Sequence, residues 1–206
     1  GASVRQGYGL TETSPVTHFI PRGYDISIAS VGFPIPNTEV RIVDIGSEKD
    51  QPTGEPGEIW MRGPQVMKGY WNNKQATRDM LDDDGWLHTG DIGYVDENGY
   101  FYVVDRVKEL IKYKGLQIAP AELEAVVQAH PAVADVAVIP SPDEEAGEVP
   151  KAFVVKKPGA AVTEQEIMDF VASRVAPYKK IRRIEFIEQI PKVPSGKILR
   201  RELVKR

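Results

Sequence analysis

The sequence predicts a β-rich subdomain followed by a small α+β domain. Three observations carry that reading. Residues 27–104 hold short runs of alternating apolar and polar residues bounded by Gly, Pro and Asn, the signature of antiparallel strands. An apolar run, Phe101 to Val104, stops at Asp105, and four of the five residues from Asp105 to Glu109 are charged. Beyond Pro120, two stretches place apolar residues at helical spacing, with strand-like runs between them. The expected division is residues 1–104, a junction at 105–108, and a second domain at 109–206.

The elements follow in order. Gly7-Tyr8-Gly9-Leu10-Thr11-Glu12 reads as a glycine-flanked loop. Val40 to Val43 alternates as a strand, and Gly57 to Gly63 is a short strand bounded by glycines. Asn73 to Leu81 reads as a short helix. Tyr94-Val95 and Tyr100 to Val104 flank Asn98-Gly99, a strong hairpin signal. Leu110, Lys112 and Lys114 fall on one face of the next strand, with Ile111 and Tyr113 on the other. Pro120 opens a helix ending near Pro131. Val133 to Ile139 and Pro150 to Val155 read as strands joined by an acidic loop, Asp143 to Glu148. Thr163 and Glu166 form a capping-box pattern before a further helix. Arg183 to Ile187 is a strand, and Ile198 to Val204 a final helix.

Composition narrows the function. The net charge of −4 gives no general drive toward nucleic acid or an anionic membrane. Without cysteine there is neither a disulfide framework nor a thiolate metal site. The three histidines, His18, His88 and His130, lack metal-ligand spacing and read as surface or packing residues. No apolar run approaches membrane-spanning length and no signal peptide is visible, so a cytoplasmic protein is expected. Basic residues dominate from Lys179 onward, either as a solvated face or as a surface that meets a polyanionic small molecule.

Several side chains suit phosphate and ribose chemistry, each with a plainer alternative. Glycines around Tyr8 let a backbone turn approach a flat ligand, Thr11 offers a hydroxyl, and Glu12 is a hard oxygen ligand suited to Mg²⁺; an ordinary loop would look similar. The Asp91 carboxylate of Thr89-Gly90-Asp91 can accept from both hydroxyls of a vicinal diol, or simply cap a turn. Lys112, beside a glycine turn, places an ammonium against a phosphate or carboxylate, unless it is a protective edge lysine. Lys197 tips the turn Pro194-Ser195-Gly196-Lys197, where a solvated charge is the alternative.

Taken together, Gly85-Trp86-Leu87-His88-Thr89-Gly90-Asp91, Val104-Asp105-Arg106, Ile111-Lys112-Tyr113-Lys114-Gly115 and Pro191 to Ile198 resemble the core motifs of the adenylate-forming (ANL) superfamily. The resemblance spans the chain and is closest to the branch of acyl-CoA synthetases, 4-coumarate-CoA ligases and firefly luciferase. It implies that family's C-terminal architecture: a distorted, barrel-like β subdomain, then a small domain that rotates between two half-reactions. It implies ATP/AMP, Mg²⁺ and coenzyme A as cofactors and a carboxylic acid as substrate. The roles implied are Gly7, Tyr8, Gly9, Thr11, Asp91, Arg106 and Gly115 in nucleotide and cofactor binding, with Tyr8 stacked on adenine and Asp91 on the ribose hydroxyls. Glu12 would hold magnesium, and Lys197, Lys112 and Gln117 would be catalytic. Asp105 and Lys108 would form the hinge. Gly63, Gly69-Tyr70 and Trp71 read as turns and packing. A long-chain fatty acid, and so a role in fatty-acid metabolism, is one expectation the branch carries; acyl or aryl specificity is not legible.

One departure matters. The family's Ser/Thr/Gly-rich phosphate loop has no counterpart between Gly1 and Gly9. The chain therefore resembles the C-terminal portion of a larger enzyme, with the N-terminal portion of that enzyme as its natural partner and no activity expected alone. Apolar surface exposed by such a cut would favour self-association. The alternatives are a non-catalytic nucleotide-binding or interaction module, and a luciferase-like or carrier-protein-loading relative.

Overall fold

A computed structural model describes residues 4–194 and 196–205. The chain divides into two compact units, Gly1–Val107 and Lys108–Arg206.

In the first unit, β1 (Gly7–Tyr8), β2 (His18–Phe19) and β3 (Phe33–Pro34) form a small antiparallel sheet. A second antiparallel sheet runs in the order β4 (Glu39–Val43), β5 (Gly57–Arg62), β6 (Leu87–Val95) and β7 (Phe101–Arg106). Helix α1 (Lys74–Met80) precedes β6, and the Asn73 side chain caps it by accepting the Ala76 amide at 3.0 Å. The second sheet is open, with β4 and β7 at its ends. The expected β-rich subdomain is present, as two open sheets and not a closed barrel: four strands are too few to close around a packed interior. Both sheet faces are covered. Ile42, Ile59, Met61 and Phe101 are buried together, while Trp60 packs with Val43 and Trp86. The expected Asn98-Gly99 hairpin forms, with Asp96 Oδ1 accepting the Asn98 and Tyr100 amides, each at 2.9 Å.

The second unit opens with β8 (Ile111–Tyr113) and β9 (Leu116–Ile118), then α2 (Pro120–Gln128), β10 (Val133–Asp143) and β11 (Gly147–Lys156). Helix α3 (Glu164–Ala172), β12 (Arg183–Phe186) and α4 (Arg200–Leu203) complete it. The sheet order is β10-β11-β8-β9, with β12 pairing parallel to β11. Alternation along β10 sends Val136 and Val138 toward Leu123, Val127, Ile167 and Val171 of the two helices. Ala137 and Ile139 pack on the other side with Phe153, Ile190 and Leu203. The predicted capping box is present: Thr163 Oγ1 accepts the Glu166 amide at 3.2 Å and Glu166 Oε2 accepts the Thr163 amide at 2.8 Å.

Three expectations change here. The acidic loop shrinks to a tight turn because β10 and β11 stay paired out to Asp143 and Gly147. The final helix shortens to Arg200–Leu203. Lys114 is not a strand residue: with φ of 48°, it opens the two-residue turn it forms with Gly115, φ 81°, between β8 and β9.

Candidate functional site

Three of the residues expected to hold a nucleotide, Tyr8, Asp91 and Arg106, meet at β6. In the β5–β6 register Glu58 faces Ile92 and Trp60 faces His88, so Thr89, Gly90 and Asp91 stand opposite Ile59 alone. This is a bulge, and it re-aims side chains locally. Thr89 is buried and donates to the Ile59 carbonyl at 2.6 Å, while its hydroxyl accepts the Asp91 amide at 3.1 Å. Gly90 takes φ of 69°, with nothing within 4 Å of where a Cβ would stand, so backbone conformation rather than space calls for glycine.

The bulge presents Asp91, only 5% exposed. The Tyr8 hydroxyl donates to its Oδ2 at 2.7 Å. Arg106, its direct cross-strand partner, brings Nε to 3.1 Å from Oδ1. Burial, then the Asp91 charge, pushes the Tyr8 phenol well above its ordinary value, so it stays a proton donor. A carboxylate has about four acceptor positions. Two are taken here, which leaves a matched pair for the two hydroxyls of a diol. Arg106 is the last residue of β7 rather than a residue beyond it, and Asp105, expected at a solvent-compatible hinge, is buried within that strand. Lys108 is exposed in the following 3-10 turn, Val107–Glu109.

The Gly7–Glu12 segment is not a plain loop. Gly7 and Tyr8 pair with Phe19 and His18. A Cβ on Gly9 would lie 1.8 Å from the Pro15 carbonyl oxygen, so that glycine makes room for the chain's own return strand. Thr11 and Glu12 stand in a 3-10 turn, Thr11–Thr13, with Thr11 exposed. Glu12 Oε1 accepts the Tyr70 hydroxyl at 2.5 Å, and the Glu12 carbonyl accepts the Met67 amide at 2.8 Å. Tyr70 was read as packing; its phenol in fact touches the candidate metal ligand and is pushed up to about 12, first by that hydrogen bond and then by burial. Trp71, also read as packing, is 91% exposed. No local sequence signal marks Tyr70, because its partner Glu12 lies 58 residues away.

Two buried side chains support this segment: Thr13, which no sequence motif singles out, and His18, one of the histidines expected as surface or packing residues. Thr13 donates to the Leu10 carbonyl at 2.9 Å and accepts the Leu10 amide at 2.9 Å, tying the turn closed. His18 is fully buried, with its ring 5.8 Å from Tyr8 and 4.8 Å from Phe101.

In the second unit, Lys112 and Gln117 are direct cross-strand partners on the β8–β9 hairpin, and both are exposed. Gly115 completes the turn between them. Lys197 is exposed at the end of a tight turn in which the Val193 carbonyl accepts the Gly196 amide at 2.8 Å and the Val193 amide donates to the Lys197 carbonyl at 2.9 Å. Ser195 of that motif lies outside the described residues. No hydrogen bond joins Lys197 to the Lys112 hairpin among the described residues. The basic stretch from Lys179 is neutralised in part: among the described residues Lys179 pairs with Glu122, Arg183 with Asp143, Lys192 with Asp135, and Arg200 with Glu109 and Glu124.

The residues present fit the groups the resemblance implies. Asp91 keeps acceptor capacity for a ribose diol. Glu12 is a single accessible carboxylate, which suits Mg²⁺, an ion that commonly takes one or two protein carboxylates plus phosphate oxygens and water. Among the described residues no cluster of three or more acidic or histidine side chains is placed to hold a metal. No described helix is long and apolar enough to cross a membrane.

Comparison with known proteins gives the family. Residues 1–71 match the model for AMP-binding enzymes, and residues 122–197 that for the AMP-binding enzyme C-terminal domain. A 4-coumarate-CoA ligase-like protein of Oryza sativa subsp. japonica is 52% identical over 203 residues, covering 98% of this chain and 37% of the relative. The 4-coumarate-CoA ligase of Vanilla planifolia is 52% identical over 206 residues, with the same coverage, 98% and 37%. This chain thus spans little more than a third of those relatives, and neither is named for a fatty acid. Among solved structures, ATP-bound MatB from Rhodopseudomonas palustris superposes with a TM-score of 0.91 at 32% identity, covering all of this chain (100%) and 41% of MatB. The o-succinylbenzoate CoA synthetase of Bacillus subtilis, in complex with its acyl-adenylate, gives 0.81 at 36% identity, covering 97% and 40%. With two family models in register and the Tyr8–Asp91–Arg106 arrangement in place, the chain belongs to the adenylate-forming superfamily of AMP-binding enzymes, alongside the 4-coumarate-CoA ligases.

Proposed function

We propose that this chain supplies the ribose-binding and cation-bearing parts of an AMP-forming acid–thiol ligase. The observation that carries the reading is the buried Asp91 carboxylate, held by Tyr8 and Arg106 with two acceptor positions to spare. In the reaction, a carboxylate oxygen of the acid bonds to the α-phosphorus of ATP as the bond to the β-phosphate breaks and pyrophosphate leaves. The thiol sulfur of coenzyme A then bonds to the acyl carbon, AMP departs, and the thiol proton passes to solvent. Asp91 and Arg106 orient the ribose through both steps. Tyr8 offers a ring for adenine while its hydroxyl stays on Asp91. Thr11 reaches phosphate. Glu12, steadied by Tyr70, is the ligand for Mg²⁺, which when bound offsets phosphate charge. Lys197 stabilises the charge that builds at phosphorus in the first step. Lys112, with Gln117 and the Gly115 turn beside it, serves the second. Asp105 and Lys108 form the pivot for the small domain that carries both lysines. The names of the relatives make 4-coumarate the first acid to test and a long-chain fatty acid the second.

The ribose assignment is tested by titrating the chain with AMP and with 2′,3′-dideoxy-AMP. Hydrogen bonds to a charged group are worth about 1.5–3 kcal/mol each, so AMP is expected to bind about tenfold tighter or more. Asp91→Asn should abolish that preference, because the charge is lost and one oxygen that could accept from the diol becomes an N–H₂ that only donates. Equal binding of both nucleotides to the unaltered chain would overturn the assignment. We further propose that the chain alone does not complete adenylation, since it shows no Ser/Thr/Gly-rich phosphate loop. Incubated with ATP and 4-coumarate it should release no pyrophosphate; sustained release would refute this.

A further inference from the structure

Arg200 opens α4, three residues after Lys197, and its side chain is only 17% exposed. Nη1 lies 2.8 Å from Glu109 Oε2 and Nη2 lies 2.7 Å from Glu124 Oε1. Nε donates to the Val138 carbonyl at 3.3 Å. Glu124 Oε1 also accepts the Val138 amide at 2.8 Å. One guanidinium therefore joins three elements: the 3-10 turn that holds Lys108 and Glu109, helix α2 and strand β10. Both carboxylates are themselves largely withdrawn from water, with side chains 20% and 15% exposed. A partly buried, forked ion pair of this kind is geometrically exacting.

The tail needs such a fastening. A four-residue helix with no side-chain cap cannot hold itself. Its apolar anchors are few, chiefly Leu203 and Ile198 against Ala137, Ile139, Phe153 and Ile190. Glu109 stands one residue after Lys108 and three before Lys112. The segments bearing Lys197 and Lys112 thus meet at a single guanidinium. We infer that Arg200 is a positioning residue that locks the Lys197-bearing tail to the base of the Lys112 hairpin, so that both cations travel as parts of one rigid body. The mechanical content stands on the contacts alone; its catalytic consequence rests on the reading proposed above. Lysine cannot replace the arginine, because a point charge does not reach three acceptors in fixed directions.

The test is native-state hydrogen exchange on this chain. Glu109→Gln keeps the side chain's size and one acceptor but removes its charge. It should speed exchange of the Leu199, Glu202 and Val204 amides, all hydrogen-bonded within the tail, by tenfold or more. Amides of β11 from Ala152 to Val154, which bond outside this network, should stay within twofold. Arg200→Lys should act likewise, and adding Glu109→Gln to it should add little, as expected for partners in one interaction. An unchanged tail in Glu109→Gln would overturn the inference. So would uniform acceleration across the unit, which marks a merely structural loss. In an active enzyme containing this chain, Arg200→Lys should slow acyl-adenylate formation at least tenfold, while thioester formation from supplied acyl-adenylate stays within threefold. If Lys197→Ala spares adenylation, the functional reading fails even where the exchange result stands. If Lys197→Ala slows it and Arg200→Lys does not, the positioning role fails.

Discussion

Lys197→Ala, in an active enzyme containing this chain, is expected to slow acyl-adenylate formation by about 10²–10³-fold while leaving thioester formation from supplied acyl-adenylate within about threefold. The magnitude is that of removing one group aimed at charge that develops in a transition state. Fold stability should barely change, because Lys197 is exposed at the end of its turn. Its charge is also available. Among the described residues no ion pair takes up Lys197 or Lys112, whereas Lys151, Lys179 and Lys192 are each held within 2.8 Å of a carboxylate. Lys112→Ala should show the reverse pattern, slow thioester formation with adenylation largely kept. Rapid-quench measurement of pyrophosphate and of thioester separates the two steps. Equal loss of both steps in both variants would refute the division of labour.

Sequence alone reached the residues whose chemistry is written in local motifs and stopped where register decides. Asp91 is picked out by the resemblance that the Gly85-to-Asp91 motif carries; alone, Thr89-Gly90-Asp91 reads as a turn. That Arg106 lies directly across from it depends on a second register shift, between Ile92 and Gly93, which no spacing announces. Tyr70 looked like packing because its partner, Glu12, is far off in sequence and the contact runs through loop backbone. The basic stretch after Lys179 looked like a charged face because its partners lie on other elements: Glu122 on α2, and Asp135 and Asp143 on β10. Alternation and capping, by contrast, are local, so β10, β11, β12 and the Thr163 cap are legible, while β9 is not. That the β-rich subdomain stays open is not legible, because strand count in a sheet is a global property.

His18 shows the same limit with a measurable consequence. The first unit, Gly1–Val107, is expected to lose about 3 kcal/mol of stability from this one residue as pH falls from about 7 to 4. Burial lowers the imidazole from 6.5 to about 4. The unfolded chain therefore binds a proton that the folded one refuses. The contribution is present in full above about pH 6.5 and is lost as pH falls through about 4. Geometry gives the reason. Thr17 Oγ1 donates to the Tyr8 carbonyl at 3.1 Å and lies 3.0 Å from His18 Nδ1, so Nδ1 carries the hydrogen and donates to Thr17. Nε2 is left as a bare lone pair, and among the described residues it has no hydrogen-bond partner. Protonation would bury a new N–H with nothing to accept it, between the Tyr8 and Phe101 rings. All three tryptophans, Trp60, Trp71 and Trp86, lie in this unit, so urea unfolding followed by tryptophan fluorescence reports on it selectively. Glu39 and Asp44, whose carboxyls are held below their ordinary values by Arg62 and Ser47, also titrate at the acid end. The comparison that isolates His18 is therefore the difference between the unaltered chain and His18→Leu. That difference should grow in the variant's favour below pH 6, and AMP affinity of the unaltered chain should fall over the same range as Tyr8 loosens from Asp91. Parallel stability profiles for the two proteins would assign the acid sensitivity to the carboxylates instead.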